Sequence, residues 1–158
     1  MKISDILNLV LSIVLCQLAG ILGLLFTAPA ISTWYKTLNK PCFTPPNWIF
    51  SPVWIILFIL MGISLFLVWR KQGHPNLRIA LILFFVQLIF NILWSAAFFG
   101  FKSPLLGLVD IVLLWVAILV TIQNFFRVSR IAGLLLLPYI LWVSFAAVLN
   151  FSLWTLNR

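Results

Sequence analysis

The chain has 158 residues, of which 65% are hydrophobic and only 8% charged, against about 45–50% and about 25% in an ordinary soluble domain. That composition excludes a water-soluble monomer, and eight Trp with fifteen Phe exclude a disordered chain. The formal charge of +8 comes from basic residues standing singly or in pairs between apolar runs; with no basic stripe, they read as membrane-flanking charge and no nucleic-acid partner is expected.

A crossing helix needs roughly 20 apolar residues. Five runs qualify, at 6–28, 49–69, 79–101, 105–126 and 131–153. None alternates as a barrel strand does. The predicted fold class is therefore an all-α membrane protein, a bundle of five transmembrane helices forming a single domain over residues 1–158. Lys2 and Ala28-Pro29-Ala30 give the first run a passing likeness to a signal peptide, but a signal core is about 7–15 residues long, so the run is expected to stay as a span. The connection at 29–48 is much longer than those at 70–78, 102–104 and 127–130. It holds Trp34-Tyr35, Lys40-Pro41, Thr44-Pro45-Pro46 and Trp48. Proline stiffening makes it read as an ordered lid on one end of the bundle; an interfacial aromatic belt on a stiff linker is the simpler alternative.

Loop charge sets the expected orientation. Lys2, Arg70, Lys71, Arg78, Arg127 and Arg130 fall on the side of the N-terminus, and Lys36, Lys40, Lys102 and Arg158 on the other. Six against four places the N-terminus in the cytoplasm. The absence of a transit-type leader points to a bacterial cell membrane. Cys16, Cys42 and the sole His74 lie far apart in sequence, so no metal site and no cofactor are expected.

Polar residues inside spans face the bundle interior and often mark function. In the third span Gln87, Asn91 and Ser95 are four apart and share a face, beside Trp94 and Phe98. The fourth has Asp110, with Thr121 roughly on its face. The fifth has Trp142, Ala146 and Asn150 in register, after Pro138-Tyr139, and the second has a stripe of Phe50, Trp54, Phe58 and Met61. Gln87 and Asn150 read as hydrogen-bonding glue between helices, while Asn91 reads equally as glue or as a ligand group. Asp110 calls for a partner in the lid or a neighbouring helix, as an anchor or as a ligand group. Trp34, Trp48, Trp69 and Trp154 stand at span ends as anchors. Trp54, Trp94 and Trp142 fall inside spans, in the half of the bilayer nearer the lid. Converging aromatics with a few amides, and room beside Ala146, describe a pocket for a large, flat, mostly apolar ligand.

These residues carry a resemblance. The run Trp34-Tyr35, Leu38, Lys40-Pro41, Pro45-Pro46, Trp48 and Pro52-Val53-Trp54 resembles the TspO/MBR family, the tryptophan-rich sensory proteins related to the mitochondrial translocator protein or peripheral benzodiazepine receptor. So do Gln87-Leu88, Asn91, Trp94 and Phe98-Phe99-Gly100, then Leu108-Val109-Asp110, and Pro138-Tyr139, Trp142, Phe145-Ala146 and Leu149-Asn150. The likeness runs over nearly the whole chain. It implies a five-helix bundle that binds porphyrins such as protoporphyrin IX, with sterols and isoquinoline carboxamide or benzodiazepine ligands as further partners. The family pocket lies under the first loop, and by position its lining would be Tyr35, Trp54, Asn91, Trp94, Trp142, Phe145 and Ala146. Trp54 and Trp142 match two tryptophans implicated in light-dependent porphyrin breakdown in some bacterial members, which makes them the candidate catalytic residues. Two positions depart from the mammalian pattern: Phe151 replaces the central Tyr of a sterol motif, and Leu106 replaces a Trp. Ala96 and Gly100 offer a small-residue pair for a homodimer.

The expected function is a membrane receptor or transporter-like protein that binds tetrapyrroles and modulates their transport, sensing or breakdown. A light- and oxygen-dependent porphyrin-degrading enzyme is the alternative. A proton or ion path is disfavoured, since Asp110 is the one acidic group inside the spans.

Overall fold

The computed structural model describes residues 3–158. Lys2, part of the loop-charge count and of the signal-peptide likeness, lies outside the described residues. Five helical stretches are long and apolar enough to cross a bilayer: Ile3–Ile31, Asn47–Trp69, Leu77–Gly100, Pro104–Val128 and Arg130–Leu156. No strand occurs among the described residues. The first span is helix α1 (Ile3–Ile31), the lid carries a single turn α2 (Trp34–Thr37), and the second span is α3 (Asn47–Trp69). The third is α4 (Leu77–Ser95), closed by a π-helical turn at Ala96–Gly100, and the fourth is α5 (Pro104–Val128). The fifth is broken into α6 (Arg130–Leu135) and α7 (Leu137–Leu156).

The breaks have local causes. Pro138 lacks the N–H that an uninterrupted fifth helix would need, and it sits in the first turn of α7, where none is required. Between the third and fourth spans Lys102 takes a left-handed φ of 52°. Ser103 then caps α5 by accepting the Leu106 N–H at 3.2 Å, with Pro104 opening the helix. Pro29 was expected to begin the lid but stands inside the last turn of α1. The apolar run carries the helix past it, and the hydroxyl of Thr33 donates to the Pro29 carbonyl at 2.8 Å.

The bundle is solid at one end and hollow at the other. Away from the lid, Met61, Leu65, Phe84, Ile118, Phe125 and Leu136 are all buried in one core, with Phe84 stacked on Phe125 at 5.6 Å. In this half α1 and α3 meet backbone to backbone. A Cβ on Gly62 would lie 2.5 Å from Ile13 Cα, so only glycine permits the approach. At the same end Arg70 Nε lies 3.9 Å from Asp5 Oδ1, joining the outer ends of these two helices.

The lid is ordered, as its prolines and aromatics suggest. Thr44 closes a turn on the Pro41 carbonyl through both its N–H (3.1 Å) and its hydroxyl (2.8 Å). Asn157, at the end of α7, holds the lid reciprocally: its Oδ1 accepts the Asn39 N–H at 2.8 Å and its Nδ2 donates to the Asn39 carbonyl at 2.9 Å. Trp34 packs on Phe98 at 5.5 Å and Phe43 on Phe145 at 6.3 Å. The lid thus rests on the ends of α4 and α7.

The pair proposed for dimerisation is altered by the π turn. Ala96 and Gly100 both fall within it, and a Cβ on Gly100 would lie 3.0 Å from the ring of Phe26 in the same chain. That patch therefore packs within the protomer.

Gly62→Val is expected to force α1 and α3 apart and to cost about 1–3 kcal/mol of overpacking. Thermal unfolding in detergent should show a midpoint lower by about 2–10 °C; an unchanged midpoint would mean that the contact is not tight.

Candidate ligand-binding cavity

On the lid side of the Gly62 contact, a cavity of about 410 Å³ opens between α1, α3, α4 and α7 under the lid. This lies within the roughly 300–1,000 Å³ typical of small-molecule sites. Helix α5 takes no part in its lining and backs the bundle instead.

Six of the seven residues expected at the site meet in this cavity: Tyr35, Trp54, Asn91, Trp94, Trp142 and Ala146. The two candidate catalytic tryptophans, Trp54 and Trp142, face it from α3 and α7. The seventh, Phe145, does not line it. Its ring stands behind Trp142 at 5.5 Å and carries Phe43 of the lid, so it supports the wall and anchors the cover. The walls are aromatic pairs. Trp54 stacks on Phe58 with ring centroids 5.5 Å apart, Trp94 stacks on Phe98 at the same distance, and Phe50 meets Trp142 edge-on at 5.8 Å. Such pairs hold one another's planes and present flat faces.

The polar groups divide into those already engaged and those left over. Asn150 is engaged at both ends: its Oδ1 accepts the Trp94 indole N–H at 3.1 Å, and its Nδ2 donates to the Pro104 carbonyl at 2.7 Å. That ties α7 to α4 and to the start of α5, and it is the glue the sequence suggests. It also fixes the Trp94 ring. Tyr139, fully buried, donates to Gln87 Oε1 at 3.0 Å and accepts from Asn91 Nδ2 at 2.9 Å. Gln87 is therefore glue, while Asn91 both joins this chain and lines the cavity. The indole N–H of Trp142 is buried and has no acceptor among the described residues, although it belongs to a residue of the cavity wall.

No Asp, Glu, Lys, Arg or His is among the lining residues. Asp110 lies outside the cavity and its buried Oδ2 has no partner among the described residues. The partner expected for it in the lid or a neighbouring helix is not found at that oxygen. Beside the lining residue Tyr35 stands Lys40 of the lid. Its Nζ sits 4.7 Å from the centroid of the Tyr35 ring and donates to the Leu38 carbonyl at 3.3 Å. Burial pushes the Tyr35 phenol above its ordinary pKa, so it stays a neutral hydroxyl at physiological pH.

The sequence reading missed the contribution of α1. Gln17, Gly20, Leu24, Thr27 and Ile31 form one edge of that helix and line the cavity, with Ile21 and Gly23 beside them. The signal was available as a seven-residue repeat, 17, 20, 24, 27 and 31, that groups a glycine with the polar residues Gln17 and Thr27. Trp115 was also left unplaced; it is a bolt between α5 and α7, its indole donating to the Ser144 hydroxyl at 2.8 Å.

Replacing Asn150 with Leu would leave the Trp94 N–H and the Pro104 carbonyl unpaired, at an expected cost of about 1–3 kcal/mol. Denaturation of the variant should show that loss together with a shifted Trp94 emission, whereas wild-type stability would place the hydrogen bonds outside the stability balance.

A model of the TspO/MBR family matches residues 12–155. Over 158 residues the chain is 51% identical to the tryptophan-rich protein TspO of Chlorobaculum tepidum, covering 98% of each. It is 46% identical to the tryptophan-rich protein TspO of Archaeoglobus fulgidus, over 97% of this chain and 99% of that one. It is 34% identical to the translocator protein of Bos taurus, over 90% of this chain and 85% of that one. With its five spans, the chain is a multi-pass integral membrane protein belonging to the TspO/MBR family.

Proposed function

We propose that the cavity binds a tetrapyrrole such as protoporphyrin IX and that the protein modulates the transport, sensing or breakdown of that ligand. The observation that carries this reading is the cavity wall itself. Three tryptophans from three helices meet there in fixed planes, with no charged side chain among the lining residues. A flat macrocycle buries its faces against such rings, and apolar contact supplies about 25 cal/mol per Å² removed from water.

The same wall is hostile to carboxylates, because an unpaired ion in an apolar site is costly to desolvate. A dicarboxylic tetrapyrrole must therefore keep its acid groups at the rim. Lys40, held over Tyr35 by a cation–π contact, is the cation that answers them there. The ring then lies below and the acids lie at the lid, which is also how such an amphiphile sits in a bilayer. Nothing in the lining serves as a nucleophile–base pair, which favours binding over hydrolytic chemistry.

Titration of the purified protein with protoporphyrin IX should give saturable quenching of tryptophan fluorescence. Ala146→Thr, which adds a branched side chain at the lining, should raise Kd by about tenfold, or ~1.4 kcal/mol. Lys40→Gln should weaken binding of the free diacid and leave that of its dimethyl ester nearly unchanged. Quenching that never saturates would sink the reading, and equal losses for acid and ester would remove Lys40 from it.

A further inference from the structure

The lining residues are not equally enclosed. Those from α4 and α7 are buried or half-buried throughout, Asn91, Phe98, Phe99, Ala146, Leu149, Asn150 and Leu153 being buried. Every exposed lining residue belongs to α1 or α3. These are Ile21 (54% exposed) and Leu24 (52%) on one edge, and Asn47, Ser51 and Ile55 (52%) on the other. The two edges face each other. They join below, where Gly62 meets the Ile13 backbone and Gly20 meets the Phe58 ring, and where Gln17 Nε2 donates to the Ile55 carbonyl at 3.0 Å. Above that sill both helices contribute exposed residues to the cavity lining. Both helices are membrane spans, so the gap between them opens on hydrocarbon and not on water.

We propose that this gap is the ligand's route: apolar ligands enter and leave the cavity sideways from the bilayer, between α1 and α3, without displacement of the lid. The fastening of the lid supports the same conclusion. It is held to α7 by the reciprocal Asn39–Asn157 hydrogen bonds and by Phe43 on Phe145, and to α4 by Trp34 on Phe98. An axial path would have to break these together. The lateral path meets one hydrogen bond between the two helices, from Gln17 to the Ile55 carbonyl at the foot of the opening. A tetrapyrrole dissolved in the leaflet would slide in ring first and keep its carboxylates at headgroup level, where Lys40 waits. The route rests on the tetrapyrrole reading of the cavity and adds the phase from which that ligand comes.

The test is kinetic and uses the whole protein in liposomes loaded with protoporphyrin IX, in a Cys42→Ser background. One version carries Leu24→Cys with Ser51→Cys, joined across the gap by a bifunctional thiol reagent. The other carries Asn39→Cys with Asn157→Cys, joined across the lid. Cross-linking the gap should slow both association and dissociation by about tenfold or more, while cross-linking the lid should leave both rates within about twofold. A second variant, Ile21→Ala with Leu24→Ala, widens the opening and should speed both rates without any cross-link. Rates that respond to the lid cross-link and not to the gap would overturn the lateral route while leaving the cavity as the binding site. Absence of saturable binding before any cross-linking would overturn the ligand reading, and the route with it.

Discussion

The backbone contact between Gly62 and Ile13 fixes where α1 and α3 can approach, and the rest of the architecture depends on it. Below this crossing the bundle packs like any apolar core, Phe84 on Phe125 and Met61 among leucines. Above it Gly20 of α1 lies against the Phe58 ring, and Phe50, Trp54 and Phe58 of α3 line the cavity. Lipid gives helices little hydrophobic reason to close a gap, since acyl chains are as apolar as leucine. A hollow that water would collapse in a soluble protein can therefore persist in a membrane. The close contact at one end and the bulky rings at the other together make a cavity with a side door.

The polar groups within the spans divide by function. Asn150 is bonded at both ends, and Tyr139 joins Gln87 to Asn91, with the Gln87 Nε2 left without a partner among the described residues. This rigidifies α4 and α7, the two helices that form the enclosed back wall. Two buried donors, Gln87 Nε2 and the Trp142 indole N–H, remain without partners among the described residues. Charge is kept to the rim, at Lys40, where headgroups and lid provide a polar setting. On the proposed reading, the wall would bind by area and shape and the rim would sort ligands by charge.

Most of the fold was legible in the sequence because hydrocarbon admits so few solutions: five long apolar runs can only be five helices. The helix ends shifted by a few residues, as at Pro29, where the helix continues past the proline and Thr33 bonds its carbonyl. Six of the seven expected site residues meet in the cavity because aromatic and amide residues at helical spacing name a face directly. Phe145 differed because a residue next to a lining position can turn its ring to a second layer, and spacing alone does not separate the two. The edge contributed by α1 went unread because its Gln17 and Thr27 stand among small and aliphatic residues, Gly20, Ile21 and Leu24, whose role comes from what they leave empty. Asp110 differed because a buried carboxylate in sequence does not say which side chains will meet it, and its Oδ2 meets none among the described residues.

The account's central claim is that the hollow between α1, α3, α4 and α7 is where the ligand lies. Crystals of the protein grown with zinc protoporphyrin IX would test it most directly, through the anomalous scattering of the metal at the centre of the macrocycle. The account predicts a single anomalous peak inside the cavity, among Trp54, Trp94 and Trp142, with the propionate groups directed toward Lys40. A peak on the lipid-facing surface or at the loops opposite the lid, with the cavity unchanged, would contradict it.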